Sequence, residues 1–414
     1  LSLTGSGTGA SNYSVASSAS VSANITPAVL SVTAPTITGN SKTYDGLLSA
    51  SNSSLSGGGV TGFVGSDTGS LNTSGVTLAY SDAHVATANK TIGATGNVTL
   101  NFTGVQTSSG NGTAGNQVAG LVTDYTFVAP IISSVAGTIN PATLTPTVNN
   151  SGVTKVYDGT TSSAMTPTYT FSGLVSGDTS AALSNTGVAY NSKDVLLANQ
   201  VTVGGLAITG IVGNKGSIAS DYVLDASSKS VAATITPAAL TITGSSTSRV
   251  YSGASQSNST SFTTSGLKGS DTVTGVSGQA SGSSVGSYTD SLTGAAGTGL
   301  GNYTISYVNG SLQITPAALT VTANNASKTY DGQAYSGGNG VSYSGFVNNE
   351  TAAVLGGTLV YGGSSQNATN AGSYVITPAG QTSSNYNITY ANGALSITPA
   401  ALTITGSSTS RVYS

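Results

Sequence analysis

The chain has no cysteine, no tryptophan, a single histidine and few charged residues. Without cysteine there are no disulfide bonds, no thiolate chemistry and no zinc site of the thiolate kind, so stability has to come from packing and strand pairing. Charged residues make up 6% of the 414 residues, against about 25% in typical globular proteins. Because the net charge is only -3, there is no basic surface for nucleic acid or anionic lipid, and we expect neither as a partner.

Long apolar runs are missing as well. The longest hold a handful of residues, as at 128–132, which is too short to span a membrane, so we expect no membrane insertion. The length predicts several domains, because a single core seldom grows beyond about 250 residues before the chain splits.

What the chain has instead is repetition. The phrase Ile-Thr-Pro-Ala-Ala-Leu-Thr and its looser copies occur at residues 25–31, 139–145, 235–241, 314–320 and 397–403. Three further landmarks then follow in a fixed order. The first is a tyrosine two positions after a basic residue, at Tyr44, Tyr157, Tyr251 and Tyr330. The second is an acid that follows a glycine-aromatic or glycine-leucine step, at Asp67, Asp178, Asp271 and Glu350. The third is an Asx-Tyr pair that ends at Tyr125, Tyr222, Tyr303 and Tyr386.

Within each repeat the local signals are those of β-strands. Apolar and polar residues alternate at 319–323 and 386–390, the period of a half-buried strand. Asn-Gly pairs at 309–310 and 392–393 are favoured in two-residue hairpin turns, so they predict that the shorter repeats end in a hairpin. Helical periodicity with caps occurs nowhere over a useful length, so we expect a helix content near nil.

The landmarks divide the chain into segments. The prediction is the C-terminal part of a truncated repeat at 1–27, complete repeats at 28–141, 142–237, 238–316 and 317–399, and the first strand of a following repeat at 400–414. Because the first and last segments carry only some of the landmarks, we expect the chain to be a window on a longer array. Proline ends strand pairing at each seam, and few residues separate neighbouring strands there. We therefore predict stiff connections without linkers, and separately packed cores on either side of each proline.

These observations predict an all-β fold of tandem antiparallel β-sandwich domains, immunoglobulin-like in architecture, joined in an elongated rod. A β-grasp-like variant is the second choice. A single parallel β-helix is the third, because that fold repeats every 20 to 30 residues or so, whereas this chain repeats at roughly 80 to 115.

The last two complete repeats resemble the MBG-type repeat domain of large bacterial surface proteins. The resemblance rests on the Ile-Thr-Pro-Ala-Ala-Leu-Thr opening, on Lys-Thr-Tyr-Asp-Gly at 328–332, and on Asn-Tyr-Asn-Ile-Thr-Tyr at 385–390. One departure is Ser252, which stands where the motif has Asp.

The repeats at 28–141 and 142–237 resemble the longer YDG-type domain, through Tyr-Asp-Gly-Thr-Thr at 157–161 and Asp-Tyr-Val-Leu at 221–224. The first of them is enlarged around 90–120. Such domains occur in tandem in filamentous-haemagglutinin-like adhesins that bacteria export by two-partner secretion. The resemblance therefore implies an extracellular or cell-surface location and no enzymatic activity.

Residues that could carry chemistry recur only as single groups, and we predict no catalytic, cofactor-binding or metal-binding residue and no cofactor. The basic residue before the tyrosine could form a covalent lysine crosslink, but Arg249 and Arg411 stand at this position elsewhere, and a guanidinium cannot serve as the amine nucleophile. We expect an ordinary ion pair or a surface charge instead. The counterpart of His84 in the next repeat is Asp194, so no repeated catalytic role follows. Calcium at domain junctions is left open, although the acids are scattered singly.

Two more landmarks have structural interpretations. Asp45, Asp158 and Asp331 are predicted to form turns through hydrogen bonds to their own backbone. The tyrosines of the first landmark are predicted to pack in the core, in preference to forming a stripe that stacks on glycans.

Two functions remain. The first is a non-catalytic stalk or adhesive region of a large bacterial extracellular adhesin, whose partner is a protein or glycan on a host or neighbouring cell. The second is a structural subunit of an extracellular filament or matrix that assembles laterally through edge strands. Binding of the purified chain to cells or glycans favours the first, and ordered self-assembly favours the second.

Overall fold

The computed structural model describes residues 22, 24–105 and 120–413, and their strands confirm the all-β prediction. Part of the enlargement predicted around 90–120 lies outside these residues. Within the described part there is no α-helix, only short 3-10 segments at Val122–Asp124, Ala219–Asp221, Leu300–Asn302 and Ala352–Val354. None of these helical segments has the length or apolar content needed to cross a membrane.

The strands are numbered along the chain. In the first repeat they are β1 Ala28–Val29, β2 Ser31–Thr33, β3 Thr36–Thr38, β4 Ser41–Thr43, β5 Ser54–Ser56, β6 Gly59–Thr61, β7 Thr68–Asn72, β8 Thr77–Tyr80, β9 Thr91–Thr95, β10 Thr99–Thr103, β11 Tyr125–Thr126, β12 Val135–Ala136 and β13 Thr138–Asn140. In the second they are β14 Ala142–Val148, β15 Val153–Val156, β16 Tyr169–Ser172, β17 Asp178–Ser184, β18 Gly187–Tyr190, β19 Gln200–Gly204, β20 Ala207–Gly213, β21 Tyr222–Leu224 and β22 Lys229–Thr236.

The third and fourth repeats follow the same plan. In the third the strands are β23 Ala238–Gly244, β24 Thr247–Val250, β25 Gln256–Ser257, β26 Phe262–Ser265, β27 Thr272–Ser277, β28 Ser281–Gly282, β29 Gly286–Thr289, β30 Thr293–Thr298, β31 Tyr303–Val308 and β32 Ser311–Thr315. In the fourth they are β33 Ala317–Ala323, β34 Ala326–Thr329, β35 Val341–Ser344, β36 Gly356–Gly362, β37 Gly372–Thr382, β38 Tyr386–Ala391 and β39 Gly393–Thr398.

In every complete repeat the opening strands pair in parallel with the closing strands. In the third, residues 238–243 pair with 303–308, and 247–250 pair with 312–315 at the same offset along the chain. The other three complete repeats have the same arrangement. Within each of them, the residue numbers of the paired strands differ by the same amount in both pairs. The opening and closing segments thus run side by side through two successive sheets.

The prediction of purely antiparallel sheets is therefore wrong. β23 lies at the centre of a mixed sheet, antiparallel to β26 and parallel to β31, and β33 lies in the same way between β35 and β38. Alternating polar and apolar residues are most typical of antiparallel sheets, because parallel sheets are usually covered on both faces. Here one face of the opening strand stays at least partly open, so the alternation survives in a parallel pair.

The predicted closing hairpins are also wrong. The strands around each Asn-Gly pair do not pair with each other. Each pairs in parallel with a different opening strand, β31 with β23 and β32 with β24, and β38 with β33 and β39 with β34, and neither Gly310 nor Gly393 has the positive φ of a type I′ turn. The glycines are needed for space instead. A Cβ atom at Gly310 would collide with the carbonyl oxygen of Ser245, and one at Gly393 with that of Ala323.

The hydrophobic cores lie across the marker prolines, so the prediction of separately packed cores is wrong. One core joins Ile139 to Leu144, on either side of Pro141. Another joins Ile314 to Leu319 in the same way. Each of these two cores contains buried residues of consecutive repeats, whereas the cluster around Ile376 and Leu395 lies within the fourth repeat.

The chain divides into two compact units, and each contains one of these cores. The first unit comprises 1–150, 165–188 and 202–231, and the second comprises 151–164, 189–201 and 232–414. The division falls inside the second repeat and not at a marker proline, as expected if halves of adjacent repeats pack together.

Candidate functional site at the junctions between repeats

At each junction a tyrosine from one repeat packs edge-on against a tyrosine from the next. The ring centroids are 5.7 Å apart for Tyr44 and Tyr222, 5.4 Å for Tyr157 and Tyr303, and 5.4 Å for Tyr251 and Tyr386. The first member of each pair follows a basic residue, and the second belongs to an Asx-Tyr pair. Each pair lies within one compact unit. Such edge-to-face contacts add about 0.5–1.5 kcal/mol beyond the burial of area.

The mid-repeat acid binds both tyrosines at the second junction. Asp271 Oδ2 accepts hydrogen bonds from the hydroxyl groups of Tyr157 and Tyr303, each at 2.8 Å. One carboxylate therefore connects two repeats through charge-assisted hydrogen bonds, which are roughly twice as strong as neutral ones.

The third junction is built from the same parts. Tyr251 donates to Glu350 Oε1 at 2.7 Å, and Tyr386 donates to Glu350 Oε2 at 2.5 Å. The first junction differs in one contact: Tyr222 donates to Asp178 Oδ2 at 2.6 Å, whereas the Tyr44 hydroxyl bonds to the Ser217 hydroxyl at 2.7 Å.

A tight turn holds each acid in place. The backbone N–H of the acid donates to the carbonyl oxygen three residues earlier in all four complete repeats. The N–H of that earlier residue donates in turn to the hydroxyl oxygen of the tyrosine in the Asx-Tyr pair, at Val64, Val175, Lys268 and Val347. The acid and this tyrosine are therefore positioned together before a neighbouring repeat is added.

Burial and the nearby carboxylates raise the pKa of the junction tyrosines. Burial, followed by the hydrogen bond to Asp271, raises the pKa of Tyr157 to about 12. The hydrogen bond to Glu350, followed by burial, raises the pKa of Tyr251 to about 12. These hydroxyl groups therefore keep the proton that they donate at neutral pH.

The Asx residue adds a second connection. Its side-chain Oδ1 accepts a backbone N–H from the preceding repeat, as the pairs Asp221 with Val85 at 2.8 Å, Asn302 with Val195 at 2.8 Å and Asn385 with Val285 at 3.0 Å show. At the first two junctions the 3-10 segment that ends at the Asx residue presents this side chain. At Asp221 and Asn302, which are buried, this oxygen accepts the valine N–H only when the neighbouring repeat is in place.

His84 lies in the first junction. Its Nδ1 is 2.8 Å from Asp221 Oδ2, and the Asp221 side chain is fully buried. That His84 has no catalytic role stays a prediction. Within residues 22, 24–105 and 120–413, no group of three or more His, Asp or Glu side chains is placed to hold a metal ion.

The lysines of the first landmark pair with the Asp of their own element. The Nζ-to-Oδ1 distances are 2.7 Å for Lys42 and Asp45, 2.7 Å for Lys155 and Asp158, and 2.8 Å for Lys328 and Asp331. Each of these carboxylates also accepts the backbone N–H two residues later, which confirms the turn-forming interpretation. The lysine pair is thus separate from the mid-repeat acid, whose partners are tyrosines.

Comparison with known protein families supports part of the resemblance. Residues 240–313 and 319–396 each match the family model of the MBG domain (YGX type), and residues 140–230 match that of the YDG domain. The chain is similar to two families of repeat domain. Both are non-enzymatic. A comparison of the chain with curated proteins found no match. The YDG-type resemblance of 28–141 lies outside the matched ranges and stays a prediction.

The sequence identified most of the side chains at these junctions, but it did not predict which of them contact one another. The core-packing prediction is confirmed for Tyr44, Tyr157 and Tyr251, which are 3%, 1% and 7% exposed, but the core is one shared with the next repeat. The prediction is wrong for Tyr330, which is 45% exposed. The valines that donate to the Asx oxygens were missed, because a backbone N–H leaves no side-chain pattern to detect.

Proposed function

We propose that this chain is a non-catalytic stalk region of a large bacterial extracellular adhesin, in which the junctions hold successive repeats at a fixed orientation. Its similarity to MBG and YDG repeat domains supports this assignment. The partner at the end of such a stalk would be a protein or glycan on a host or neighbouring cell. The location on the cell surface belongs to the same proposal.

The observation that carries the proposal is the recurrence of one junction. Three times, a buried tyrosine pair and an Asx side chain connect neighbouring repeats, and a carboxylate anchors the second tyrosine of the pair. Shared cores hold neighbouring repeats against each other, whereas a flexible linker would let each repeat move independently. In this proposal the repeats follow one another in a rod.

Small-angle X-ray scattering of purified residues 28–399 tests the rod. If each repeat adds on the order of 30 to 40 Å, four repeats give a maximum dimension of roughly 120 to 160 Å. A compact particle would contradict the proposal. Ordered fibres formed by the purified chain would favour the filament alternative.

A flexible insertion tests the junction itself. Six Gly-Ser residues inserted directly after Pro316 should shorten the mean end-to-end distance, because they separate the core shared by Ile314 and Leu319. The matched control carries the same insertion in the exposed loop at 337–340. If both insertions leave the scattering profile unchanged, the junction does not set the orientation of the repeats.

A further inference from the structure

The three junctions also differ at one pair of side chains, and in no junction are both members of this pair acids. One member is the Asx residue, and the other is the residue just before the valine that donates to it. At the first junction the Asx is an acid, Asp221, and its Oδ2 lies 2.8 Å from Nδ1 of His84. An acid thus faces the only histidine of the chain.

At the second junction both members change. The residue before the valine is now an acid, Asp194, and the Asx is an amide, Asn302. The Asn302 side chain donates from Nδ2 to Asp194 Oδ1 at 3.1 Å while its Oδ1 accepts the Val195 N–H. At the third junction both members are uncharged, Ser284 and Asn385.

An unmatched pair at this place would be costly. Asp221 is 0% exposed and Asn302 is 6% exposed, so neither can turn to water. Two carboxylates facing each other there would repel, and one would lose its hydrogen-bond donor. Lys193, whose Nζ is 3.8 Å from Asp194 Oδ1, and Asp271, which accepts a hydrogen bond from the Tyr157 hydroxyl, also lie at the second junction.

We propose that this pair selects which repeat can follow which. A repeat whose Asx residue is Asp packs against a preceding repeat that has histidine just before the valine. A repeat whose Asx residue is Asn packs against one that has an acid or an uncharged residue there. The interaction surface is the part of a repeat around this valine. Its partner is the following repeat, provided that the Asx residue of that repeat does not place a second acid in the pair. This selectivity rests on the proposed stalk function, because it presupposes that the junctions connect neighbouring repeats.

Charge-swapped variants test the selection. His84→Asp places two acids at the first junction, and Asn302→Asp does so at the second. The double variants H84D/D221N and D194H/N302D exchange the two natural pairs. The readout is amide hydrogen exchange at Val85 and Val195, whose N–H groups bond to the Asx oxygen.

At neutral pH we expect each single variant to exchange at least about tenfold faster at its valine, because the partly buried hydrogen bond between the two members of the pair is lost and two carboxylates then repel each other. Each double variant should return to within about threefold of the wild-type rate. Asn370→Asp adds the same charge at an exposed position and should change neither rate. Because the double variants restore a natural pair, a single variant that fails to fold still leaves the prediction testable.

Single variants that exchange like the wild type, or double variants that exchange as fast as the single variant of the same junction, would overturn the proposal. That outcome would leave the stalk function standing, since the Gly-Ser insertion tests the connection of repeats without changing any side chain of the pair.

Discussion

Residues 235–252 and 397–414 have identical sequences but different structures. Before the proline both copies behave alike, and Ile235 and Ile397 are buried in closing strands. After the proline the structures of the two copies differ. In the first copy the chain forms β23 and β24, and Leu240 is fully buried. In the second copy residues 400–413 form no strand, and Leu402 is 85% exposed.

Among the described residues, this sequence forms strands only where its partner strands are present. β23 lies between β26 and β31, and β24 pairs with β32, so the strand needs partners that follow it in the chain. No strand among the described residues pairs with 400–413. The closing strand, in contrast, has its partners before it, as β39 has in β34 and β37. Alternating hydrophobicity is therefore necessary for this strand but not sufficient.

The largest effect should come from giving the second copy the partners of the first. Residues 253–316, appended after Ser414, would complete a repeat around 400–414. We expect the backbone amides of 402–412 to exchange about a thousandfold more slowly or better, since they become part of a folded core. Hydrogen exchange with mass spectrometry measures this. The control extension carries serine in place of the copies of Leu312 and Ile314, and equal exchange in both extensions would contradict the prediction.

A smaller difference should separate two identical substitutions. Leu240→Ala removes a fully buried side chain and should lower the free energy of unfolding by about 2–5 kcal/mol. Leu402→Ala changes an exposed side chain and should stay within about 0.5 kcal/mol of the wild type. Chemical denaturation of the two variants measures both values. Similar losses in the two variants would mean that the second copy is folded in solution.

The smallest effect concerns the tyrosine at the end of each copy. Tyr251→Phe removes the hydrogen bond to Glu350 and should cost about 1.5–3 kcal/mol at neutral pH, whereas Tyr413→Phe, at a fully exposed position, should cost nothing measurable.

The cost of Tyr251→Phe should also depend on pH. The pKa of Tyr251 is raised from 10.0 to about 12, so its contribution is complete below pH 10 and is lost as the pH rises through about 12. The gap in unfolding temperature between wild type and Tyr251→Phe should therefore narrow over that range. A gap that stays constant would show that the hydroxyl group contributes nothing that ionisation can remove.

The order of the landmarks could be identified from the sequence, but which landmarks lie together in space could not. Tyr251, Glu350 and Tyr386 could each be identified as a repeated residue from its place in the order. Their convergence could not be predicted, because Tyr251 belongs to one repeat and its two partners to the next, and spacing along the chain does not show which faces meet. The Asn-Gly pairs gave a wrong prediction for a related reason. The sequence does not distinguish a glycine that lets two backbone segments approach closely from a glycine that allows a turn.

By itself, the sequence determined that the described residues form β-strands and no α-helix, and it determined the order of the repeats, because alternation, glycine content and the recurring prolines are local properties. Only the tertiary structure decided that opening and closing strands run parallel and that the cores lie across the prolines. The reason is physical: a strand with one apolar face is compatible with any partner that covers it, and which partner does so depends on contacts between residues far apart in the chain.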